Sequence, residues 1–477
     1  VKTISDQQVI EQIRRQSPWW DGLGGIEPVV ANYRRRDYLA PVLALVRDSS
    51  LRRAVVLMGP RRVGKTILIQ HLIHDLMTSG IAPARIAYVA VDHPVLHGQS
   101  LESFVQLIER ASPVTAGAER YLFFDEIQYL RDWQQHLKVL VDTRPDLRIL
   151  VSGSAAAALS RQSRESGAGR FTDFLLPPLT FAEYLSLIQA EPAMRQTGEN
   201  EYRLIDIDRL NRQFVDYVNY GGYPELALSP EARGNPGRFV RSDIVEKVLL
   251  RDLPTLYGIT QIQELNALFT LLCYNTGEEV SLDNLSQACG MTKPTVTRYI
   301  EFLEAAFLLK RVFRVDQSGR RYQRERSFKI FLSNPAIRTG LYGPVGSDQD
   351  VFGHLAETAL FAQRFHEDTP LNYAGWSGAE VDMVELSPAL KAVAATEIKW
   401  NDRYFERPAD LVGLLKFCRS NGLAEGWCST RTRFGERRVG EVEIVYWPTA
   451  ALAFHFGQRA VRGRVAAFKA KLTAQID

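Results

Sequence analysis

Ala54-Val55-Val56-Leu57-Met58-Gly59-Pro60-Arg61-Arg62-Val63-Gly64-Lys65-Thr66 decides the fold of the first third of the chain. Five apolar residues end at a glycine, the pattern of a short buried parallel strand. The next eight, Gly59 to Thr66, fit G-x-x-x-x-G-K-T with nothing missing. The apolar run TILIQHLIHDLM then reads as a helix. A glycine turn between a strand and a helix N-terminus aims backbone N–H groups and the positive end of the helix dipole at an anion. Gly59, Pro60, Arg61, Arg62, Val63 and Gly64 form the phosphate cradle. Lys65 reaches the β- and γ-phosphates, and the Thr66 hydroxyl is a ligand for Mg²⁺. The expected ligands are therefore ATP and Mg²⁺.

Working outward, strands and helices alternate from about residue 51 to 155. RIAYVAVD, YLFFDE and LRILVSGS read as further strands, with SLESFVQLIERA and DWQQHLKVLVDT as helices between them. This alternation predicts a parallel α/β sheet. Tyr121 to Phe124 run straight into Asp125 and Glu126, so two acids fall at the carboxyl edge of the sheet, where α/β ligands bind. Asp125 is expected to help hold Mg²⁺ and Glu126 to polarise the attacking water. The following strand ends at Ser152-Gly153-Ser154, and either serine fits a γ-phosphate sensor. Of Arg161, Arg164 and Arg170, Arg170 is favoured as an arginine finger supplied to a neighbouring subunit.

The chain has 477 residues, enough for about two to four domains. Its net charge of +3 conceals basic runs at Arg34-Arg35-Arg36, Arg320-Arg321 and Arg437-Arg438, a hint of a polyanionic partner. Cys273, Cys289, Cys418 and Cys428 show no metal-ligand spacing and read as reduced thiols, which points to a cytoplasmic protein. The polar start VKTISDQQVIEQIRRQ lacks an apolar signal core, and no window approaches the ~18 to 20 apolar residues of a membrane span.

GPRRVGKT, LFFDEIQ, SGSA, GR followed by LLPPLTFAEYL, and YGGYPE occur in that order. Together they resemble a widespread prokaryotic group of AAA-type ATPases, over about residues 35 to 400. The resemblance implies an AAA-type core, a helical lid, a winged helix and a C-terminal domain described as of unknown function. It also implies a homo-oligomer, on the pattern of a ring. One departure is Ser333-Asn334-Pro335, where the group has an aspartate-containing turn.

Ser281 to Leu309 read as two helices joined at Gly290-Met291-Thr292, a helix-turn-helix pattern. Lys293, Thr295, Thr297 and Arg298 are placed to face a DNA major groove. Asp316-Gln317-Ser318-Gly319 is a hairpin turn, the candidate wing. Arg314, Arg320, Arg321, Arg324 and Arg326 on its flanks suit phosphate contacts.

Further on, Glu357 lies in a helical stretch, Asp382 in the strand GAEVDMV, and Glu397 and Lys399 in the strand AATEIKW. Residues two apart on a strand share a face, so Asp382 and Glu397 can share a cation with Lys399 beside them. The pattern is similar to the restriction-endonuclease-like PD-(D/E)XK superfamily, with Glu357 as its extra helical acid. Glu380 and Glu385 read as solvent-facing or structural.

The expected architecture is thus α/β. Residues 1–35 form an arm, 36–180 a P-loop AAA-type parallel sheet core and 181–240 a helical lid. Residues 241–335 form a winged helix with a basic hairpin, 336–456 a nuclease-like α/β domain and 457–477 a basic tail. The expected function is an ATPase acting on DNA, with nuclease activity as an addition. The competing expectation is a nucleotide-controlled switch that binds a protein partner and keeps a vestigial nuclease domain.

Overall fold

The computed structural model describes residues 4–22, 24–112, 114–115, 117–153, 169–198, 202–321, 327–365, 367 and 370–473. The chain divides into two compact units, Val1–Pro177 and Pro178–Asp477.

In the first unit, strands β1 (Ala54–Met58), β2 (Ile86–Ala90), β3 (Arg120–Asp125), β4 (Leu147–Gly153) and β5 (Phe171–Leu175) form one sheet in the order β2-β3-β4-β1-β5. Every pairing is parallel. The apolar runs read from the sequence are buried throughout β1 and β3. Because β3, β4 and β1 are neighbours, the chain leaves the sheet beside itself three times at one edge: after Asp125, near Ser152 and at Gly59. That edge gathers the residues of the P-loop site.

The arm is part of this unit. The helix Asp6–Gln16 ends where its side chains meet the free edge of β2. The Gln16 amide donates to the Ala90 carbonyl and accepts from its N–H, and the Ser17 hydroxyl does the same at Tyr88. The Trp19 and Trp20 indole N–H groups both donate to the Ile86 carbonyl, at 2.9 and 2.7 Å. Alternate backbone groups of an edge strand, which would otherwise template pairing with another chain, are thus satisfied by side chains.

In the second unit, β6 (Met194–Gln196) and β7 (Tyr202–Leu204) pair as a two-stranded ladder, and a mixed sheet of nine strands has the order β15-β16-β14-β13-β12-β11-β9-β10-β8. These are β8 (Glu279–Ser281), β9 (Leu309–Val315), β10 (Ser327–Leu332), β11 (Leu371–Trp376), β12 (Ala379–Leu386), β13 (Ala392–Glu397), β14 (Glu425–Thr430), β15 (Gly435–Val439) and β16 (Val442–Pro448). The expected winged-helix strands β8 to β10 are continuous with the C-terminal strands, because β9 pairs in parallel with β11. The expected lid also enters this unit. Phe181, Tyr184, Phe214 and Tyr217 share a core with Phe352 and Phe361 of the helix Val351–Arg364 and Leu452 of the helix Thr449–Thr473. Residues 457–473 of the expected basic tail continue that last helix.

The glycine pair at 221–222 is a packing joint. Gly222 has φ +88, and a Cβ there would lie 2.4 Å from the Asn334 side chain. Asn334 is fully buried; its Nδ2 donates to the Tyr217 hydroxyl and its Oδ1 accepts from Ala336 N. The amide supplies a donor and an acceptor at once, which an ionised aspartate cannot do.

Among the described residues, no helix is long and apolar enough to cross a membrane. The four cysteines are free thiols.

Trp19 is 3% exposed and joins the arm to β2. Trp19→Ala should cost about 3–5 kcal/mol. The expected outcome is a marked fall in the urea midpoint of the first unit, and an unchanged midpoint would remove the arm from its core.

Candidate functional site

The P-loop site is built around a buried carboxylate. Asp125 ends β3 with 2% exposure and receives hydroxyl groups from three elements. Thr66, on the helix Lys65–Thr78, donates to its Oδ2 at 2.6 Å, and Tyr88 on β2 donates to the same oxygen at 3.0 Å. Ser152 on β4 donates to Oδ1, which also accepts from the Glu126 N–H at 3.1 Å. Thr66, Asp125 and Ser152 therefore meet as the sequence predicts, whereas Tyr88 was not foreseen. Thr66 and Asp125, both oxygen donors, fit a hard divalent cation.

Glu126 follows in the left-handed region at φ 56, a conformation that costs energy for a non-glycine residue. That turn takes its carboxyl off the line of the strand. Burial pushes its pKa above the ordinary range, with the Lys65 charge pulling the other way. Gln128 donates to its Oε2. A half-buried, oriented carboxylate with a raised pKa suits a general base.

The loop itself is tightly constrained. The Lys65 ammonium donates to the carbonyls of Gly59 and Pro60 at 2.9 and 2.8 Å. Arg62 and Gly64 have φ 64 and 92. A Cβ on Gly59 would lie 2.2 Å from the Leu176 carbonyl oxygen, so only glycine fits. Arg36 is a further residue that sequence reasoning missed. It reads there as part of a basic run that hints at a polyanionic partner, yet it is 6% exposed and donates to the carbonyls of Val63 and Pro177. Its neighbour Arg35 pairs with Asp75.

Arg170 is not brought to this site. It precedes β5 at the amino edge of the sheet, opposite the P-loop, and its exposed guanidinium pairs with Asp142 at 2.7 Å. Ser154, Arg161 and Arg164 lie outside the described residues.

A second cluster occupies the second unit. Asp382 on β12, Glu397 at the end of β13 and Glu357 on the helix Val351–Arg364 come together as expected. Lys399 lies two residues beyond Glu397, just past the strand end. Its ammonium bonds Asp382 at 3.1 Å and Glu397 at 2.8 Å. Two members were not foreseen. Lys329 of β10, 5% exposed, bonds Glu357 at 3.1 Å and also pairs with Glu380, which the sequence reading left as a bystander. Lys329 stands 3.9 Å from Asp382. A lysine inside an otherwise buried strand was the signal for it, and Glu380 shares a strand face with Asp382. Glu385 turns away to pair with the buried Arg364.

Burial would raise the Asp382 pKa, but Lys399 and Lys329 outweigh it and hold the carboxyl below its usual range. Burial pushes Glu357 up to about 7, against the pull of Lys329. Glu397 is pushed up to about 8 by burial and then by the Asp382 charge, and its Oε2 is buried without a hydrogen-bond partner. The cluster opens on a cleft of about 600 Å³. Among the described residues, no three acidic, histidine or cysteine side chains are placed to hold a metal ion. The ammonium groups stand among the acids, and Lys399 pairs with both Asp382 and Glu397, beside which the sequence places it.

The candidate DNA contacts are mixed. Arg298, Arg320 and Arg321 are exposed. Lys293 pairs with Asp283, and Thr295 bonds Thr292, the cap of its own helix Lys293–Ala305. Arg314 faces Glu279. The hairpin turn is docked: Gln317 donates to Ser420, and Asn421 donates to the Gln317 carbonyl, both on the helix Val412–Asn421. Arg324 and Arg326 lie outside the described residues.

A family model described as an AAA domain matches residues 51–185, and one described as a domain of unknown function (DUF8612) matches residues 211–346. The first match and the parallel five-stranded sheet together support an AAA-type P-loop domain in the first unit. An uncharacterized protein of Haemophilus influenzae is 24% identical over 360 residues, spanning 74% of this chain and 82% of its own. The uncharacterized protein MJ1637 of Methanocaldococcus jannaschii is 24% identical over 368 residues, spanning 72% and 75%. Among solved structures, AMPPCP-bound DnaA from Aquifex aeolicus is 16% identical with a TM-score of 0.28, covering 58% of this chain and 92% of that one. The S. cerevisiae Hsp104:casein complex is 14% identical with a TM-score of 0.31, covering 58% and 50%. Likenesses this remote carry no weight on function.

The Glu397 carboxyl sits near 8 against an ordinary 4.5, so between those values the folded chain holds a proton that the unfolded chain has released. Its contribution to stability is whole below the lower value and is lost as pH rises toward the upper one. Glu397→Gln, which mimics the protonated form, should match the wild-type melting temperature at pH 4 and exceed it at pH 8.5. Parallel melting curves across that range would contradict the assignment.

Proposed function

We propose that this chain binds ATP with Mg²⁺ and hydrolyses it in the first unit, and that the second unit engages nucleic acid. The carrying observation is the Asp125 cradle. A buried carboxylate is held by three neutral hydroxyls at the sheet edge beside the P-loop, so its negative charge is oriented and not cancelled.

Thr66 and Asp125 would hold the magnesium ion, which when bound neutralises charge on the phosphates. The Lys65 ammonium exchanges its loop carbonyls for phosphate oxygens. Glu126 takes the proton of the attacking water, its raised pKa suiting that step. Ser152 and Tyr88 keep Asp125 in one rotamer while charge moves beside it. Arg36 fixes the loop through the Val63 carbonyl.

For the second unit, Arg298, Arg320 and Arg321 are exposed cations on winged-helix-like elements, and the acid–lysine cluster is similar to a restriction-endonuclease-like site. With both lysines paired into the acids, the reading is a nuclease-like fold that binds a phosphodiester chain and does not cut it. No step of cleavage is derived from it. The docked hairpin turn favours a second reading, a nucleotide-controlled switch whose partner is a protein.

Glu126→Gln should reduce ATP hydrolysis by ~10²-fold or more while nucleotide binding persists. Single-stranded, duplex or branched DNA should stimulate the wild type only. Hydrolysis indifferent to every DNA would move the account to the protein-directed switch. On a gel of the same reactions, no cleavage is expected; Mg²⁺-dependent cutting lost in Asp382→Ala would overturn the non-cutting reading. Arg320→Ala with Arg321→Ala should flatten the salt dependence of DNA binding by about two phosphate contacts.

A further inference from the structure

The helix Ala336–Tyr342 carries a cation that neither reading uses. Arg338 is 7% exposed. It forms no ion pair among the described residues, and its Nε is buried without a hydrogen-bond partner. The guanidinium lies instead against two rings, 5.6 Å from the centroid of Tyr274 and 5.4 Å from that of Tyr342. The rings meet edge to face at 5.5 Å, and the Tyr342 hydroxyl is tied to the Thr270 carbonyl at 2.9 Å. Ring faces attract a cation but return only part of the hydration it loses on burial. Burial accordingly depresses the Arg338 pKa. A buried charge without a counter-charge is among the most costly features a fold can keep.

The side chain lines a cavity of about 260 Å³ together with Tyr274, Thr276 and His354. This is below the roughly 300 Å³ at which drug-sized ligand sites begin, so the cavity suits one small group and not a whole nucleotide. Glu278 and Asp350 line both this cavity and the acid–lysine cleft, which are therefore adjacent. Both acids are exposed, and neither pairs with Arg338. A guanidinium presents a planar fork of donors matched to a phosphate. Tyr274, 59% exposed, offers a ring face beside it on which a base can stack.

We propose that Arg338, held between Tyr274 and Tyr342, binds one phosphate group, either free or carried by a nucleic-acid strand entering the neighbouring cleft. The anion site stands on this geometry alone, and only the nucleic-acid source rests on the proposed function.

The test uses the full chain with Lys65→Ala, so that the P-loop does not dominate phosphate binding. It compares Arg338 with Arg338→Met and Arg338→Lys. Inorganic phosphate should raise the melting temperature of the Arg338 chain above a chloride control of equal ionic strength, and should not do so for Arg338→Met. Without phosphate, Arg338→Met should melt at or above its parent, because an unpaired buried charge is gone. A 5′-phosphorylated single-stranded 12-mer should bind at least tenfold more weakly to Arg338→Met, with Arg338→Lys between the two.

An equal phosphate shift in parent and Arg338→Met, or none in either, overturns the site. A lower melting temperature in Arg338→Met with phosphate binding intact makes the arginine structural and also overturns it. If Arg338→Met does not fold, Arg338→Lys decides: weakened phosphate binding supports the site and unchanged binding sinks it. A phosphate shift with no binding of the 12-mer keeps the site and discards the nucleic-acid source. Binding of the 12-mer that ignores both Arg338 and the 5′-phosphate keeps the proposed function and discards the site.

Discussion

The first unit depends on one buried carboxylate and the donors that surround it. The Asp125 oxygens would be costly to leave without partners in the interior, and hydroxyls from Thr66, Tyr88 and Ser152 supply them. Each donor comes from a different element, so the cradle exists only if β2, β3, β4 and the P-loop helix hold their register. The parallel order β2-β3-β4-β1 supplies it. The arm that caps the outer edge of β2 therefore contributes to the site at a distance: Ser17 bonds the backbone of the same Tyr88 whose hydroxyl reaches Asp125.

The second unit is organised by charges of the opposite kind of pairing. Lys329 enters from β10 and Lys399 from the end of β13, and between them they reach Glu357, Glu380, Asp382 and Glu397. Such an assembly is a poor source of stability, because desolvating each ion costs about as much as pairing returns. It does specify geometry. Removing either lysine would leave buried acids uncompensated, so the strand that carries Lys329 cannot slip against the helix that carries Glu357. The nine-stranded sheet, which runs unbroken from β8 to β15, needs that kind of register lock where β9 meets β11 in parallel.

How much of this was legible followed from range in sequence. Gly59 to Thr66 and the apolar run into Asp125 are local patterns, and their strands, helices and mutual placement were readable from periodicity. The Asp382–Glu397–Lys399 grouping was also readable, because two strands and a two-residue spacing fix it. Arg36, Tyr88, Lys329 and Arg338 were not. Each acts through a partner far along the chain, and nothing local separates a buried arginine at 36 from the solvated arginine beside it. The lid reading of residues 181–240 came with the family resemblance, which implies a helical element and not what that element buries its face against. Phe181 and Phe214 find their partners beyond residue 350. The docking of the hairpin turn was out of reach in the same way, since a turn of polar residues looks free until Ser420 and Asn421 are seen to hold Gln317.

The two acid-bearing centres then differ in one physical respect. Around Asp125 the donors are neutral, so the carboxylate is stabilised while its field still reaches outward and can attract a divalent cation. Around Asp382 a neutral donor, the Ile398 N–H, is joined by the Lys399 ammonium, with Lys329 at 3.9 Å, so the same kind of carboxylate is stabilised with much of its field offset by positive charge. A hydroxyl-held acid keeps its field directed outward, whereas a lysine-held acid has it offset within the cluster. In the second unit the charge without an ion pair among the described residues is the positive one at Arg338, and a buried cation of that kind carries a desolvation cost that an anion would offset.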